Sequence, residues 1–307
     1  MQKPRVNFNA VGVVYSTCNR RRVATLSGGR PKKPSTLVQA AIRGTISDDS
    51  AEFRPAGGRY HLYVSLACPW AQRTLIVRNL KGLDDVITAD VVHWKLTDSG
   101  WLFDDWAPAC TKDSVNGYKG LEQIYRHVIP DYKGKFTVPV LWDKQRNTMV
   151  NNKSKDIVRM LNANFRAFCR TEEQRQLDLY PRHLREQIDD LEDVINSDLG
   201  QGVYKAGRAI TDHTYQKAVG KVFDTLDMLD NILSTKKYLM GDNLTEVDVG
   251  LYTVLVRFDR IYYTKFKCNR KRIADYSNLQ PYFQDLATKS PFIESTNFEH
   301  IEKFYQV

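Results

Sequence analysis

The chain has 307 residues, of which 42% are hydrophobic and 26% charged, a composition typical of a globular protein large enough for two cores. No stretch approaches the roughly 18 uncharged apolar residues that a membrane-spanning helix requires, so no membrane partner is predicted. The formal net charge of +9 raises the question of a nucleic-acid partner.

The positive charge is concentrated at the amino terminus. Residues 1–47 contain nine lysines and arginines and no acid. Without those nine, the 45 Lys+Arg fall to 36 and equal the 36 Asp+Glu, so residues 48–307 are formally neutral. A neutral body offers no electrostatic footprint for nucleic acid, and none is predicted as a partner.

Residues 1–47 read as a basic, disordered leader. They are rich in arginine, contain Ser and Thr and lack acids, as organelle transit peptides do, although a basic arm that is never removed has the same composition. The expected location is therefore cytoplasmic or, if the leader is a transit peptide, mitochondrial or plastid. The cysteines are odd in number and widely spaced, which predicts neither a disulfide framework nor a metal site: Cys18, Cys68, Cys110, Cys169 and Cys268.

The next segment alternates strand and helix patterns. Residues 60–66 and 86–92 are β-rich, and residues 69–80 between them have helical spacing, which predicts a βαβ unit with a parallel strand pair. Two more strands are predicted at 138–142 and 148–150, followed by a helix. Proline donates no ladder bond, so we expect a cis Val138-Pro139 bond that leaves the Val138 backbone free to pair with an extended peptide-like ligand.

From about residue 177 the apolar spacing becomes helical. Thr245 and Asp248 form a predicted capping box at the start of one of these helices. The sequence thus predicts an α/β domain at residues 50–165 and an all-α domain at residues 175–307.

Cys68 lies where the first strand passes into the first helix. The unpaired N–H groups and dipole of a helix N-terminus favour a thiolate, and Pro69 suits the first helical position. Ala71 replaces the second cysteine of a dithiol motif, so an external thiol must resolve any disulfide formed on Cys68. The competing interpretation is that Cys68 is a small buried hydrophobe.

Residues 58–74, with the sequence GRYHLYVSLACPWAQRT, resemble the glutathionyl-hydroquinone reductases, the xi class of the omega-like glutathione transferases. Further matches follow in the same order at residues 137–143, 150–152, 203–207 and 257–269, and the resemblance covers about residues 50–305. It implies a thioredoxin-like domain with an all-helical domain behind it, usually as a homodimer, with glutathione as co-substrate and no metal.

The resemblance also implies the chemistry. Cys68 would attack the glutathione sulfur of a glutathionyl-hydroquinone, the hydroquinone would leave with a proton, and a second glutathione would resolve the mixed disulfide. The implied proton donor is Tyr204, and Tyr262 and Tyr305 are the implied supports of the thiolate, since a phenol can donate to a sulfur anion. Relatives generally continue beyond the position of Tyr305, so we expect this residue to be poorly anchored.

Seven residues match positions implied to bind glutathione: Trp101, Lys135, Phe136, Thr137, Val138, Lys153 and Ser154. Core packing is the competing explanation for Trp101. Lys153 departs from the family, which has a glutamate that accepts from the α-ammonium of glutathione. A lysine would repel that group, unless it engages the α-carboxylate or points into solvent. Gln72 stands where the family more often has histidine.

Two other functions stay open at this point. An omega-like thiol transferase or dehydroascorbate reductase would share Cys68 without needing Tyr204 and Tyr262 in place. A catalytically degenerate member would keep the fold as a binding module, and Lys153 is the feature that motivates this hypothesis.

Overall fold

The computed structural model describes residues 42–306, and their fold starts from a four-stranded mixed sheet. Its strands are β1 (Tyr60–Val64), β2 (Thr88–Val91), β3 (Val140–Asp143) and β4 (Thr148–Asn151). They lie in the order β2-β1-β3-β4, with β1 parallel to β2 and antiparallel to β3, and with β3 antiparallel to β4. The predicted βαβ unit and its parallel pair are confirmed.

Three strands are shorter than predicted. β1 ends at Val64, β2 begins at Thr88 and β3 begins at Val140, whereas the apolar runs extend two residues further in each case. The residues beyond the ladder belong to buried turns, so hydrophobicity alone does not mark where strand pairing stops. The Val138-Pro139 peptide bond is cis, as predicted, and it lies just before β3.

Three helices belong to this region: α1 (Pro69–Leu80), α2 (Leu121–Val128) and α3 (Ser154–Asn164). The predicted bounds of α1 are confirmed, with Cys68 as its N-cap and a proline in its first turn. α1 and α3 pack against each other, and the face of α1 that contains Leu75 and Ile76 is buried.

Residues 42–47, which the sequence placed in the leader, lie against the sheet. The Gly44 N–H donates to the Val150 carbonyl at 2.8 Å, Arg43 bridges to Asn151 of β4, and the side chain of Ile46 is fully buried. The buried side chains of Ile42 and Ile46 pack where this segment covers the β4 edge of the sheet, so residues 42–47 are part of the fold and not of a solvated arm. The rest of the predicted leader lies outside the described residues.

The second half of the chain is helical, as predicted. Its α-helices are α4 (Glu172–Gln176), α5 (Arg185–Val194), α6 (Gly202–Gly207), α7 (Asp212–Leu233), α8 (Glu246–Arg257), α9 (Tyr263–Lys265), α10 (Leu279–Ala287), α11 (Ser290–Ile293) and α12 (Phe298–Tyr305). Short 3₁₀ segments and two π-helical segments, Ile195–Gly200 and Phe258–Tyr262, connect several of them. Within residues 42–306, none of the helices combines the length and apolar character needed to traverse a bilayer. The predicted domain limits at 50–165 and 175–307 stay predictions.

The predicted capping box fixes the start of α8. The buried Asp248 carboxylate accepts bonds from the backbone N–H and the hydroxyl of Thr245, both at 2.8 Å. It also accepts from the Leu239 N–H and the Tyr282 hydroxyl, each at 2.9 Å. One carboxylate therefore joins the preceding loop, the helix start and α10.

We expect Asp248→Asn to lower the free energy of unfolding by about 2 kcal/mol. The NH₂ of asparagine would replace one carboxylate oxygen and face N–H and O–H groups that can only donate to that position. Urea titration followed by circular dichroism measures this change. The matched control is Asp224→Asn on the exposed face of α7. Equal stability of the two variants would contradict the role given to Asp248.

Candidate active site

Cys68 occupies the turn between β1 and α1. Its N–H donates to the Ser65 carbonyl at 3.2 Å, and its carbonyl accepts from the Gln72 N–H at 2.9 Å, as the first bond of the helix. Cys68 as a whole residue is half-buried, and its Sγ lies 3.9 Å from the Val138 carbonyl oxygen. The sulfur therefore sits at the junction predicted for it, facing the segment predicted to hold an extended peptide.

The structure adds burial to the influences on the ionisation of Cys68. Burial raises the pKa of the Cys68 thiol above its ordinary value. The N–H groups of Ala71 and Trp70 and the charges of Arg257 and Arg73 oppose that effect without overcoming it. Ionisation thus depends on the charges around the turn as well as on the helix amides.

Three distant elements bring the predicted tyrosines together. Tyr204 lies on α6, Tyr262 ends the second π-helical segment, and Tyr305 ends α12. Their ring centroids are 6.0 Å apart for Tyr204 and Tyr262, 6.4 Å for Tyr204 and Tyr305, and 5.9 Å for Tyr262 and Tyr305. The hydroxyls of Tyr204 and Tyr305 are hydrogen-bonded to each other.

The tyrosine cluster, formed by Tyr204, Tyr262 and Tyr305, is protonated at neutral pH. Burial raises the pKa of each phenol well above its ordinary value. Negative charge on Tyr262 and on Cys68 would raise the pKa of Tyr204 further. The predicted weak anchoring of Tyr305 is wrong, since its side chain is only 5% exposed and is held by the bond to Tyr204.

The two π-helical segments set the position of the cluster. Ile195–Gly200 comes shortly before Tyr204, and Phe258–Tyr262 contains Tyr262 itself. A π-helical turn inserts an extra residue and rotates the side chains that follow, and such turns are frequent at functional sites. Sequence periodicity does not reveal them, because one inserted residue leaves the apolar pattern nearly unchanged.

Aromatic side chains that the sequence analysis gave no role complete the walls. Trp70 stacks on Tyr204 with ring centroids 5.7 Å apart, and Phe266 stacks on Tyr262 at 5.5 Å. Both residues lie in segments that match the family, and this match is the sequence feature from which their place in the site could have been predicted. The flat faces of these rings suit an aromatic ligand.

The segment predicted to hold glutathione is positioned by Tyr125, which sequence reasoning missed. The Tyr125 hydroxyl donates to the Thr137 carbonyl at 2.8 Å and accepts from the Asn152 side chain at 2.9 Å. Lys135 and Thr137 are exposed, Phe136 is half-buried and Val138 is buried. Among 16 tyrosines, nothing in the local sequence distinguishes Tyr125.

Trp101, which the family resemblance places along glutathione, is nearly buried. It is only 7% exposed, and its ring stacks on Phe304 of α12 with centroids 5.6 Å apart. Core packing, the competing explanation, accounts for this position. A contact of Trp101 with glutathione stays a prediction.

Lys153 and Ser154 lie at the start of α3 and face different surroundings. The Lys153 side chain is 55% exposed, with its Nζ 3.5 Å from the Asp156 carboxylate. The Ser154 hydroxyl is buried and accepts from Arg73 Nε at 2.9 Å. Of the alternatives for Lys153, the solvent-directed one agrees with the structure. The Ser154 hydroxyl accepts from Arg73 and still has its own O–H to donate.

Comparisons with known proteins identify the family. Residues 67–164 match the family model of the glutathione S-transferase N-terminal domain, and residues 212–285 match that of the C-terminal domain. The chain is 47% identical to glutathionyl-hydroquinone reductase YqjG of Escherichia coli, over 80% of this chain and 74% of that protein. It is 46% identical to glutathione S-transferase omega-like 2 of Schizosaccharomyces pombe, over 87% and 86%.

Solved structures agree. The xi glutathione S-transferase of Phanerochaete chrysosporium superposes with a TM-score of 0.83 at 45% identity, covering 86% of this chain and 89% of that one. The glutathione-bound structure of YqjG gives a TM-score of 0.82 at 44% identity, covering 86% and 87%. The fold class predicted from the sequence is thereby confirmed, and the chain belongs to the xi class of glutathione transferases, the family of the glutathionyl-hydroquinone reductases.

Proposed function

We propose that this protein reduces glutathionyl-hydroquinones to hydroquinones, with glutathione as co-substrate and Cys68 as nucleophile. The observation that carries the proposal is the gathering of three tyrosines from separate elements, one of which, Tyr204, stacks on Trp70 in the helix that begins at Cys68. The names of the relatives, glutathionyl-hydroquinone reductase among them, support the same reaction.

The reaction proceeds in two steps, cleavage of the carbon–sulfur bond of the conjugate and then thiol–disulfide exchange. The Cys68 thiolate attacks the sulfur of the conjugate, the bond between that sulfur and the ring carbon breaks, and the ring carbon takes a proton from Tyr204. Cys68 is left in a mixed disulfide with glutathione. The thiolate of a second glutathione attacks the glutathione sulfur of that disulfide, which releases oxidised glutathione and the Cys68 thiolate. The proton lost by the second glutathione restores Tyr204.

Glutathione would lie along residues 135–138. Tyr125 is hydrogen-bonded to the Thr137 carbonyl of this segment, and the Val138 carbonyl oxygen lies 3.9 Å from Cys68 Sγ. A peptide paired with Val138 would therefore bring its own sulfur to Cys68. The N–H groups at the start of α3 suit the carboxylate at the glutamyl end of the tripeptide.

Incubation with glutathione and a glutathionyl-hydroquinone, followed by detection of free hydroquinone, tests the proposal. Turnover only of small disulfides or dehydroascorbate would instead support the thiol transferase alternative, which the omega-like names of other relatives favour. Absence of all turnover, with no retention on immobilised glutathione, would indicate a binding module without catalysis.

We expect Lys153→Glu to lower the KM for glutathione by about tenfold or more. A carboxylate at this position would accept a charge-assisted bond from the α-ammonium of glutathione, a bond that the solvent-directed lysine does not form. Steady-state kinetics with varied glutathione measure the effect.

The control for Lys153→Glu is Lys236→Glu, which makes the same change of charge at an exposed residue of the loop after α7. Its KM should stay within about twofold of the wild-type value, because exposed charges remote from the ligand are screened by salt. A KM for Lys153→Glu that is unchanged or higher would show that Lys153 does not handicap binding.

We also propose that the protein is a homodimer, on the strength of the family resemblance. Light scattering coupled to size-exclusion chromatography of the full chain tests this directly. A mass near the 35.4 kDa of a single chain would contradict the proposal.

We propose that the protein acts in the cytoplasm or, if its basic leader is a transit peptide, in a mitochondrion or plastid. The composition of residues 1–47 supports the second location as well as the first. Mass analysis of the native amino terminus decides between them, since import removes a transit peptide.

A further inference from the structure

Arg257 is a fully buried cation at the end of α8, and its guanidinium reaches across to the turn that carries Cys68. Nε donates to the Ala67 carbonyl at 3.2 Å, and Nη2 donates to the same oxygen at 3.1 Å and to the Leu66 carbonyl at 3.4 Å. Nη1 donates to the Thr253 carbonyl at 2.6 Å and to the Gln72 side chain. All five N–H groups are thus satisfied.

Every one of these acceptors is neutral. Within residues 42–306, no carboxylate lies within ion-pair distance of the Arg257 guanidinium, whereas the neighbouring Arg73 is paired with Glu192. Hydrogen bonds to carbonyls satisfy the donors but do not cancel the charge, and a buried charge without a counterion is costly to keep. An anion that forms near Arg257 during the reaction would offset this free-energy cost.

The groups around Arg257 that can become anionic are those of the active site. Its charge lowers the pKa of the Cys68 thiol and of all three phenols of the tyrosine cluster. The other cation that acts on Cys68 is Arg73, and Glu192 already compensates it. Burial raises the pKa of the thiol and of the phenols alike, but the ordinary pKa of a thiol is lower than that of a phenol, so the sulfur is the first of these groups to ionise.

We propose that Arg257 is a positioning residue for the Cys68 thiolate: it clamps the carbonyls of the preceding turn and supplies the uncompensated positive charge that the ionised sulfur balances. This inference rests on the proposed function, in which the thiolate is the nucleophile. The charge of Arg257 acts in the same direction as the helix amides, against the effect of burial.

The test compares Arg257→Gln with Arg257→Lys. Both remove the planar fork that binds Ala67, but only lysine keeps the charge. The measurement is the rate at which iodoacetamide alkylates Cys68 as a function of pH, followed by mass spectrometry of the peptide that contains it. Since only the thiolate reacts, the rate rises with pH through the pKa of the thiol.

We expect Arg257→Gln to move the midpoint of this profile upward by about one pH unit, so that alkylation at neutral pH slows about tenfold. Arg257→Lys should keep the midpoint close to that of the wild type. Equal shifts in both variants would assign a purely structural role to Arg257 and overturn the proposal, as would a midpoint that moves in neither.

Gln72 offers a second variant in case the Arg257 substitutions do not fold. Gln72→Glu preserves an oxygen for Nη1 and neutralises the guanidinium in place, whereas Gln72→Met removes the amide without adding charge. An upward shift of the midpoint in Gln72→Glu beyond that in Gln72→Met supports the proposal, and equal midpoints overturn it. The alkylation profile needs no quinone conjugate, so failure of the proposed function, seen as absent wild-type turnover, stays distinguishable from failure of this inference.

Discussion

Replacement of Cys68 by serine is expected to lower turnover of a glutathionyl-hydroquinone by on the order of a thousandfold or more, because a hydroxyl at neutral pH neither ionises nor forms a mixed disulfide. Ala71 stands where a dithiol motif would have its second cysteine, so α1 offers no second thiol in its first turn. The measurement is kcat/KM for release of hydroquinone. Mass analysis of the protein after one turnover should show a glutathione adduct on the wild type and none on the variant.

Cys169→Ser is the matched control for this substitution. Cys169 is buried after α3, with its thiol directed at the Phe165 carbonyl 3.6 Å away, and burial raises its pKa. A serine hydroxyl there can keep the same bond, so kcat/KM should stay within about threefold of the wild-type value. Full activity of Cys68→Ser, or equal losses in the two variants, would remove the basis of the proposed mechanism.

Tyr204→Phe is expected to lower kcat for the conjugate by about a hundredfold or more. Loss of a general acid typically slows the step that it catalyses by a factor of roughly 10² to 10⁴. Tyr204 is held in place by the hydroxyl bond to Tyr305 and by stacking on Trp70, so its phenol is positioned before the substrate binds. Its raised pKa keeps the proton available throughout the physiological range. The measurement is kcat and KM for the conjugate, with exchange of a small disulfide measured in parallel.

Exchange of the small disulfide separates the glutathionyl-hydroquinone reductase hypothesis from the thiol transferase hypothesis. Disulfide exchange needs no proton on a ring carbon, so Tyr204→Phe should leave it nearly unchanged while turnover of the conjugate collapses. The control is Tyr215→Phe, which removes an exposed hydroxyl that donates to the Lys267 carbonyl at 2.6 Å. Equal losses on both substrates would mean that Tyr204 supports the thiolate and is not the acid.

Local sequence was sufficient where a residue's role depends on its immediate neighbours. The bounds of α1, the N-cap position of Cys68 and the capping box of Thr245 and Asp248 follow from spacing and residue type over a few positions. The strand ends were less predictable, because apolar residues continue into buried turns beyond the last ladder bond. The family motifs added Tyr204, Tyr262 and Tyr305, which no periodicity would have singled out.

The sequence did not reveal the residues whose roles depend on charge balance or on contacts between distant segments. Tyr125 orders the segment at 135–138 through a hydroxyl contributed by α2, and Phe304 covers Trp101 from the last helix. Arg257 lay within a recognised motif, yet its lack of a carboxylate partner appears only when its surroundings are known. The burial that raises the pKa of Cys68 was not predicted for the same reason, since burial is a property of the packed site.

The amino-acid sequence by itself determined the fold class, the position of the proposed nucleophile at the start of α1 and the family, because each is encoded in short contiguous segments whose local geometry is nearly autonomous. The tertiary structure alone decided which groups act on that nucleophile. Electrostatic and hydrogen-bond energies depend on distance and on exclusion of water, and residues as far apart in sequence as Ala67 and Arg257 acquire both only when the chain has folded.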